Sequence, residues 1–195
     1  MAFTPNTDKR VAVFFADGFE EVEAIAVVDL LFRAGIPCDM VSVSENLAVV
    51  SSREVTVVAD CTIYEEGFDF DDYDMLVLPG GIPGMPNLKA CEPLCCALKK
   101  HAAEGRGVAA ICASPSILAE LGILAGKHAT ANPHFQQSVA DNGGILEADA
   151  KAVTDGNVIT SQGMATATWF GLEIVKYFVS DEVVEHVKEG IVLMD

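Results

Sequence analysis

Short apolar runs alternate with amphipathic stretches along the whole chain. Residues 10–15 are apolar with β-branched and aromatic members, which predicts a first strand. Asp17-Gly18 breaks that run, a helix is predicted over residues 20–34, and Gly35 caps its C-terminus. Residues 37–43 predict a second strand, so the first unit is βαβ and implies a parallel sheet with a right-handed crossover. Residues 48–51 and 54–59 alternate around a polar turn and predict a small hairpin. The acidic stretch 64–74 reads as a surface connection. Residues 75–78 predict a buried strand running into Pro79-Gly80-Gly81 and a loop holding Pro83, Gly84 and Pro86. Then come a helix over 92–104, a strand over 108–111, a helix over 116–121 and a helix over 133–141. Strands are predicted over 145–148, 152–154 and 158–161, the last two joined at Asp155-Gly156. Helices over 164–178 and 181–189 close the pattern. Strands alternating with helices throughout predict one domain with the architecture of a three-layer α/β sandwich.

Residues 107–115 read Gly-Val-Ala-Ala-Ile-Cys-Ala-Ser-Pro. The apolar run predicts a strand, and Ser114-Pro115 opens a helix, because serine caps well and proline suits a first turn. Cys112 is thus expected at a sharp strand-to-helix turn that holds its sulfur up, as in a nucleophile elbow. The nearby helix N-terminus is expected to lower the thiol's pKa.

Active sites of open α/β sheets gather beyond the carboxyl ends of strands. The first strand leads to Glu23. Helical phase places Phe19, Val22, Ala26, Leu30 and Ala34 on one apolar arc, with Glu23 inside it. Loss of solvent there is expected to raise the pKa of Glu23 and let it hand protons to a neighbouring thiol. Gly80-Gly81 follows another strand, where bare backbone lets N–H groups approach a substrate oxygen. The N–H of Ala113 is the natural second donor of such an oxyanion hole. Of the four histidines, His101 and His186 are expected on solvated helix faces and His128 on the surface. His134 is the candidate general base. Gly80-Gly81-Ile82-Pro83-Gly84 lacks the Lys-Ser/Thr of a phosphate-binding loop.

Composition narrows the field further. Of 195 residues, 51% are hydrophobic and 21% charged, as in a folded domain. The net charge of −17 opposes binding to nucleic acid and to anionic membrane. No apolar run approaches a membrane span. Residues 1–8 are polar, lack a signal-peptide pattern and are expected to form a short flexible tail. Six scattered cysteines then fit free thiols in a cytoplasmic protein. The spacing of Cys91, Cys95 and Cys96 suits helix packing, so no metal is expected there.

Four motifs in order resemble the ThiJ/PfpI superfamily, and within it the branch of the parkinsonism-associated deglycase. They are Gly-Phe-Glu-Glu-Val-Glu-Ala from Gly18, Leu-Pro-Gly-Gly from Leu78, Ala-Ala-Ile-Cys-Ala from Ala109 and Thr-Ser-Gln-Gly from Thr160. The resemblance implies a flavodoxin-like sandwich of the class I glutamine amidotransferase-like type, with a mostly parallel central sheet, and a homodimer. It implies a reactive Cys112 bonded to a protonated Glu23, an anion pocket at Gly81 and Ala113, and Arg53 reaching the neighbouring subunit's pocket. Implied activities are cofactor-free glyoxalase and deglycase chemistry on 2-oxoaldehydes or glycated proteins. Redox sensing, chaperone-like protection and an older association with thiazole (thiamine) synthesis also attach to the superfamily. Some members carry His where this chain has Asn132, and an amide does not act as a base near neutral pH.

Overall fold

All five residues of the run Val11–Phe15 are buried, and they form the strand β1 at the middle of the molecule. Side chains of a strand alternate between faces, so a run apolar at every position needs cover on both sides. The computed structural model describes residues 3–193. After β1 the strands are β2 (Cys38–Ser42), β3 (Ala48–Val50), β4 (Thr56–Val58), β5 (Cys61–Thr62), β6 (Met75–Leu78), β7 (Gly107–Ile111), β8 (His128–Ala129), β9 (Ile145–Leu146), β10 (Ala152–Asp155) and β11 (Val158–Ser161). The helices are α1 (Glu21–Arg33), α2 (Gly84–Ala90), α3 (Glu92–Ala103), α4 (Pro115–Glu120), α5 (Gln136–Asp141), α6 (Ala167–Phe178) and α7 (Asp181–Gly190).

Seven strands form one sheet in the order β10-β11-β7-β6-β1-β2-β5. Within it, β10 alone runs antiparallel to its neighbour. Val13 of β1 sits between Met40 of β2 and Val77 of β6. One face carries Ala12, Phe14, Leu76, Leu78, Val108 and Ala110, covered by Leu88, Leu94, Leu98 and Ile117 of α2, α3 and α4. The other carries Val11, Val13, Phe15, Val77, Ala109 and Ile111, covered by Val27 and Leu31 of α1 and by Phe170 and Ile174 of α6. Each such large side chain contributes about 2 kcal/mol by leaving water. The expected three-layer sandwich is therefore formed. From β1 the chain grows outward to β2, and from β6 it grows the opposite way to β7 and β11. This places a topological switch point between β1 and β6.

Several local expectations change. The proline-containing loop after Gly81 winds into α2, because Pro86 occupies a first turn, where no helical N–H bond is needed. The helix expected from 133 starts at Gln136, and the one expected from 164 opens as a 3₁₀ turn, Met164–Thr166, before α6. The two-residue strands β5 and β8 are too short to leave a pattern in sequence. His101 is fully buried rather than solvated, and its Nε2 bonds the Phe70 carbonyl at 3.1 Å. His186 and His128 are exposed as expected, and His128 pairs with Glu147. Cys96 is exposed, while Cys91 is buried. The expected tail starts outside the described residues, at Met1 and Ala2. Its described part is anchored, since the Asn6 side chain donates to the Ala34 carbonyl at 2.9 Å.

Candidate functional site

β11, β7, β6 and β1 are four parallel neighbours, so their carboxyl ends open on one edge of the sheet. β7 ends in Cys112, whose φ is +67°, and α4 begins at Pro115. The sharp turn expected there is present. A non-glycine residue in the left-handed region costs about 1–2 kcal/mol, so the surroundings must hold it. The Cys112 N–H donates to the Ser161 carbonyl at 3.0 Å, and its carbonyl accepts from the Asn132 N–H at 2.9 Å. The buried Ser114 hydroxyl donates to the Pro79 carbonyl at 2.6 Å, tying the turn to the exit of β6.

Glu23 projects from the first turn of α1 and is 1% exposed. Glu20 caps the helix by accepting from the Glu23 N–H at 2.8 Å. The buried face of α1 is Glu23, Ala24, Val27, Leu30 and Leu31. It is rotated from the expected arc, and Val22 is exposed. A second, exposed apolar stripe through Val22, Ile25 and Phe32 blurs the helical phase in the sequence. Glu23 faces the interior as expected.

The carboxyl of Glu23 is held on several sides. Its Oε2 accepts from the Gly80 N–H at 2.8 Å. It also bonds the Met164 N–H and the Cys112 side chain. Gly80 is glycine because a Cβ there would lie 2.5 Å from Cys112 Cβ and 2.7 Å from Glu23 Oε2. Gly81 has φ +99°, and a Cβ on it would meet the Gly18 carbonyl oxygen at 2.4 Å. The Gly80 amide is consumed by Glu23, so the expected anion pocket narrows to the N–H groups of Gly81 and Ala113. Those two bond the sulfur.

Burial pushes the Glu23 carboxyl up to about 7, against the opposing hydrogen bonds from Cys112, Gly80 and Met164. Burial first, then the charge and hydrogen bond of Glu23, push the Cys112 thiol up to about 12. The amides of Ala113 and Gly81 pull it down, but by less. The thiol expected to be depressed by a helix N-terminus is therefore raised, first by burial and then by Glu23. The two groups titrate as a pair: the first proton leaves near 7 and the second is strongly retained. Across that interval the pair carries one negative charge, on the Glu23 carboxyl, and the Cys112 thiol keeps its proton.

The remaining candidates divide. Asn132 joins the site, with its Nδ2 3.8 Å from Cys112 Sγ. His134 contributes its backbone, donating N–H to Asn132 Oδ1 at 3.1 Å, while the residue as a whole is exposed. Arg53 is exposed and bonds Ser52 of its own segment. Gly163 and Met164 at the end of β11 also belong to the site, and residue-by-residue reasoning missed them. Their signal was positional: a fourth parallel strand end beside Cys112. Among the described residues no group of three or more His, Cys, Asp or Glu side chains is placed to hold a metal ion.

The raised Glu23 has a consequence for stability. A carboxyl whose folded pKa exceeds its unfolded value of 4.5 favours the fold below 4.5, and that contribution is lost as pH rises through about 7. Denaturant unfolding is expected to show wild type losing about 3 kcal/mol relative to Glu23→Gln between those limits.

The chain is similar to known proteins along most of its length. Residues 9–177 match the model of the DJ-1/PfpI family. The chain is 34% identical over 185 residues to protein dj-1beta of Drosophila melanogaster, covering 95% of this chain and 97% of that one. The crystal structure of that fly protein superposes with a TM-score of 0.90 at 33% identity, covering 97% of this chain and all of the other. The protein named "Glutathione-independent glyoxalase DJ-1" of Schizosaccharomyces pombe is 32% identical over 180 residues, 89% of this chain and 93% of that one. Protein DJ-1 homolog B of Arabidopsis thaliana is 39% identical over 174 residues, 89% of this chain, which spans only 39% of that longer protein. Cys112 at its strained turn, Glu23 beneath it and a match along most of the sequence lead to one conclusion: this chain belongs to the DJ-1/PfpI family.

Proposed function

We propose that this protein is a cofactor-free, cysteine-dependent enzyme that converts 2-oxoaldehydes such as methylglyoxal, or their adducts on proteins, to 2-hydroxy acids. The observation that carries this reading is the hydrogen bond between the Cys112 side chain and the buried Glu23 carboxyl, which burial pushes up to about 7. The sulfur adds to the aldehyde carbon as its proton passes to Glu23, and Glu23 returns a proton to the aldehyde oxygen. The product is a hemithioacetal, and the N–H groups of Gly81 and Ala113 stabilise charge that develops on oxygen. Glu23 then takes the proton from the former aldehyde carbon while the former ketone oxygen is protonated, giving an enediol; a proton is returned to the neighbouring carbon as the hydroxyl on the sulfur-bearing carbon loses its own, leaving a 2-hydroxy thioester. Water cleaves the thioester, giving the 2-hydroxy acid and the free thiol. A base with a pKa near the working pH suits both proton transfers. The name of the fission-yeast relative supports the glyoxalase class.

A redox-sensing reading uses the same pair. Cys112 oxidised to a sulfinic acid would accept a hydrogen bond from protonated Glu23. Lactate production from methylglyoxal separates the two. Turnover is expected in wild type and is lost in Cys112→Ser. Glu23→Gln keeps a hydrogen bond but moves no proton, so its turnover falls by about a thousandfold with the fold retained. Turnover surviving Cys112→Ser removes the enzyme reading. Absent turnover in wild type, with peroxide oxidising Cys112 selectively, supports the sensor.

The enzyme is further proposed to work in the cytoplasm as a homodimer, with Arg53 reaching toward the partner's pocket. Support for the dimer comes from exposed apolar side chains on α1 and the β3–β4 hairpin: Val22, Ile25, Phe32, Val50 and Val58. Light scattering is expected to give twice the chain mass of 20.7 kDa, and Ile25→Asp to halve the measured mass.

A further inference from the structure

Cations are scarce on this chain, with 12 lysines and arginines against 29 aspartates and glutamates. Most of them are paired with a carboxylate. Lys151 and Lys176 hold no carboxylate partner among the described residues. Both line one groove of about 480 Å³, bounded by α6, α7 and the residue before β10. None of its lining residues belongs to the Cys112 site.

The groove has an ammonium toward each end and hydrocarbon along its floor. At one end the Lys151 Nζ lies 3.8 Å from the centre of the Trp169 ring. Cation–π attraction steadies that ammonium without neutralising it. Trp169, Leu172 and Lys176 follow the three-then-four spacing of one helical face. Trp169 and Lys176 are two turns apart, about 10 Å along the axis of α6. Buried Leu172 lies between them, and buried Val184 of α7 faces the same space, with Leu193 completing the apolar wall.

The carboxylates of the groove are occupied elsewhere. Glu173 accepts from the Thr154 hydroxyl at 2.7 Å, and Glu185 pairs with Lys188 at 2.7 Å. Glu189 also lines the neighbouring cavity, which holds Arg33. Three lysines and three glutamates leave the lining formally neutral on a chain of net charge −17. An anion therefore meets less repulsion here than over the average surface of the protein.

We propose that this groove binds a dicarboxylate whose acid groups are separated by an extended apolar spacer. One carboxylate pairs with Lys151 beside Trp169 and the other with Lys176, while the spacer lies along Leu172 and Val184. Each end gains a charge-assisted hydrogen bond, and the spacer gains by leaving water. A fatty acid of equal length leaves one ammonium unpaired, and a short dicarboxylate cannot reach both. The groove thus selects for two charges at a set separation.

The test uses the full chain, isothermal titration calorimetry and the emission of Trp169, the one tryptophan in the sequence. Sebacate, a long dicarboxylate, is expected to bind saturably and to shift that emission. Decanoate and succinate are each expected to bind at least about tenfold more weakly. Lys151→Gln and Lys176→Gln, both at exposed positions, are each expected to raise the sebacate Kd about tenfold with the circular dichroism spectrum unchanged. Methylglyoxal turnover does not enter the readout, so failure of the enzyme reading leaves this result standing. The proposal is overturned if sebacate does not bind at millimolar concentration, or if it binds without moving the Trp169 emission. It is also overturned if decanoate binds as tightly as sebacate, or if either lysine variant binds sebacate like wild type.

Discussion

A buried carboxyl is hydrogen-bonded to a sulfur at the edge of the sheet, and the neighbouring structure is arranged around that bond. Glu23 is 1% exposed, and four groups touch or flank its carboxyl: the Gly80 and Met164 amides, Cys112 and the carboxylate of Glu20. Removing water raises its pKa, while the hydrogen bonds keep the charged form accessible. The outcome is a group that titrates near neutrality instead of in the usual carboxylate range. The same low-dielectric setting makes a second negative charge on sulfur costly. From about 7 upward the pair therefore holds a single negative charge.

The fold supplies this pair through its connectivity. Growth of the sheet in opposite directions from β1 and β6 leaves a crevice at their carboxyl ends. α1 enters that crevice with Glu23 in its first turn, while β7 delivers Cys112 from two strands away. Neither side chain can be moved alone. The Cys112 turn is pinned to β11 through Ser161 and to β6 through Ser114 and Pro79. Gly80 in turn is squeezed between the Cys112 and Glu23 side chains, so the site carries its restraints in the backbone.

Much of this was legible in sequence because its signals are local. A β-branched run followed by Cys-Ala-Ser-Pro announces a strand, a turn and a helix start within nine residues. Glu23 was legible because a carboxyl amid apolar neighbours near a strand end is conspicuous, even though the predicted arc was rotated. The missing parts are non-local. The hydrogen bond that takes the Gly80 amide out of the anion pocket spans 57 residues. Met164 and Gly163 matter only because β11 lies beside β7, a pairing no periodicity reveals. The burial of His101 depends on the Phe70 carbonyl arriving from a connection that reads as solvated. The raised thiol pKa is non-local too: burial first, and then the charge of Glu23, outweigh the amides of Ala113 and Gly81 at the turn.

The most direct test of the coupled pair is the alkylation rate of Cys112 measured by mass spectrometry from about pH 5 to about pH 10, in wild type and Glu23→Gln. The account predicts a wild-type rate that rises near 7, levels off as the pair holds its single charge, and loses that step in the variant. One titration at the ordinary thiol position, identical in both proteins, would contradict it.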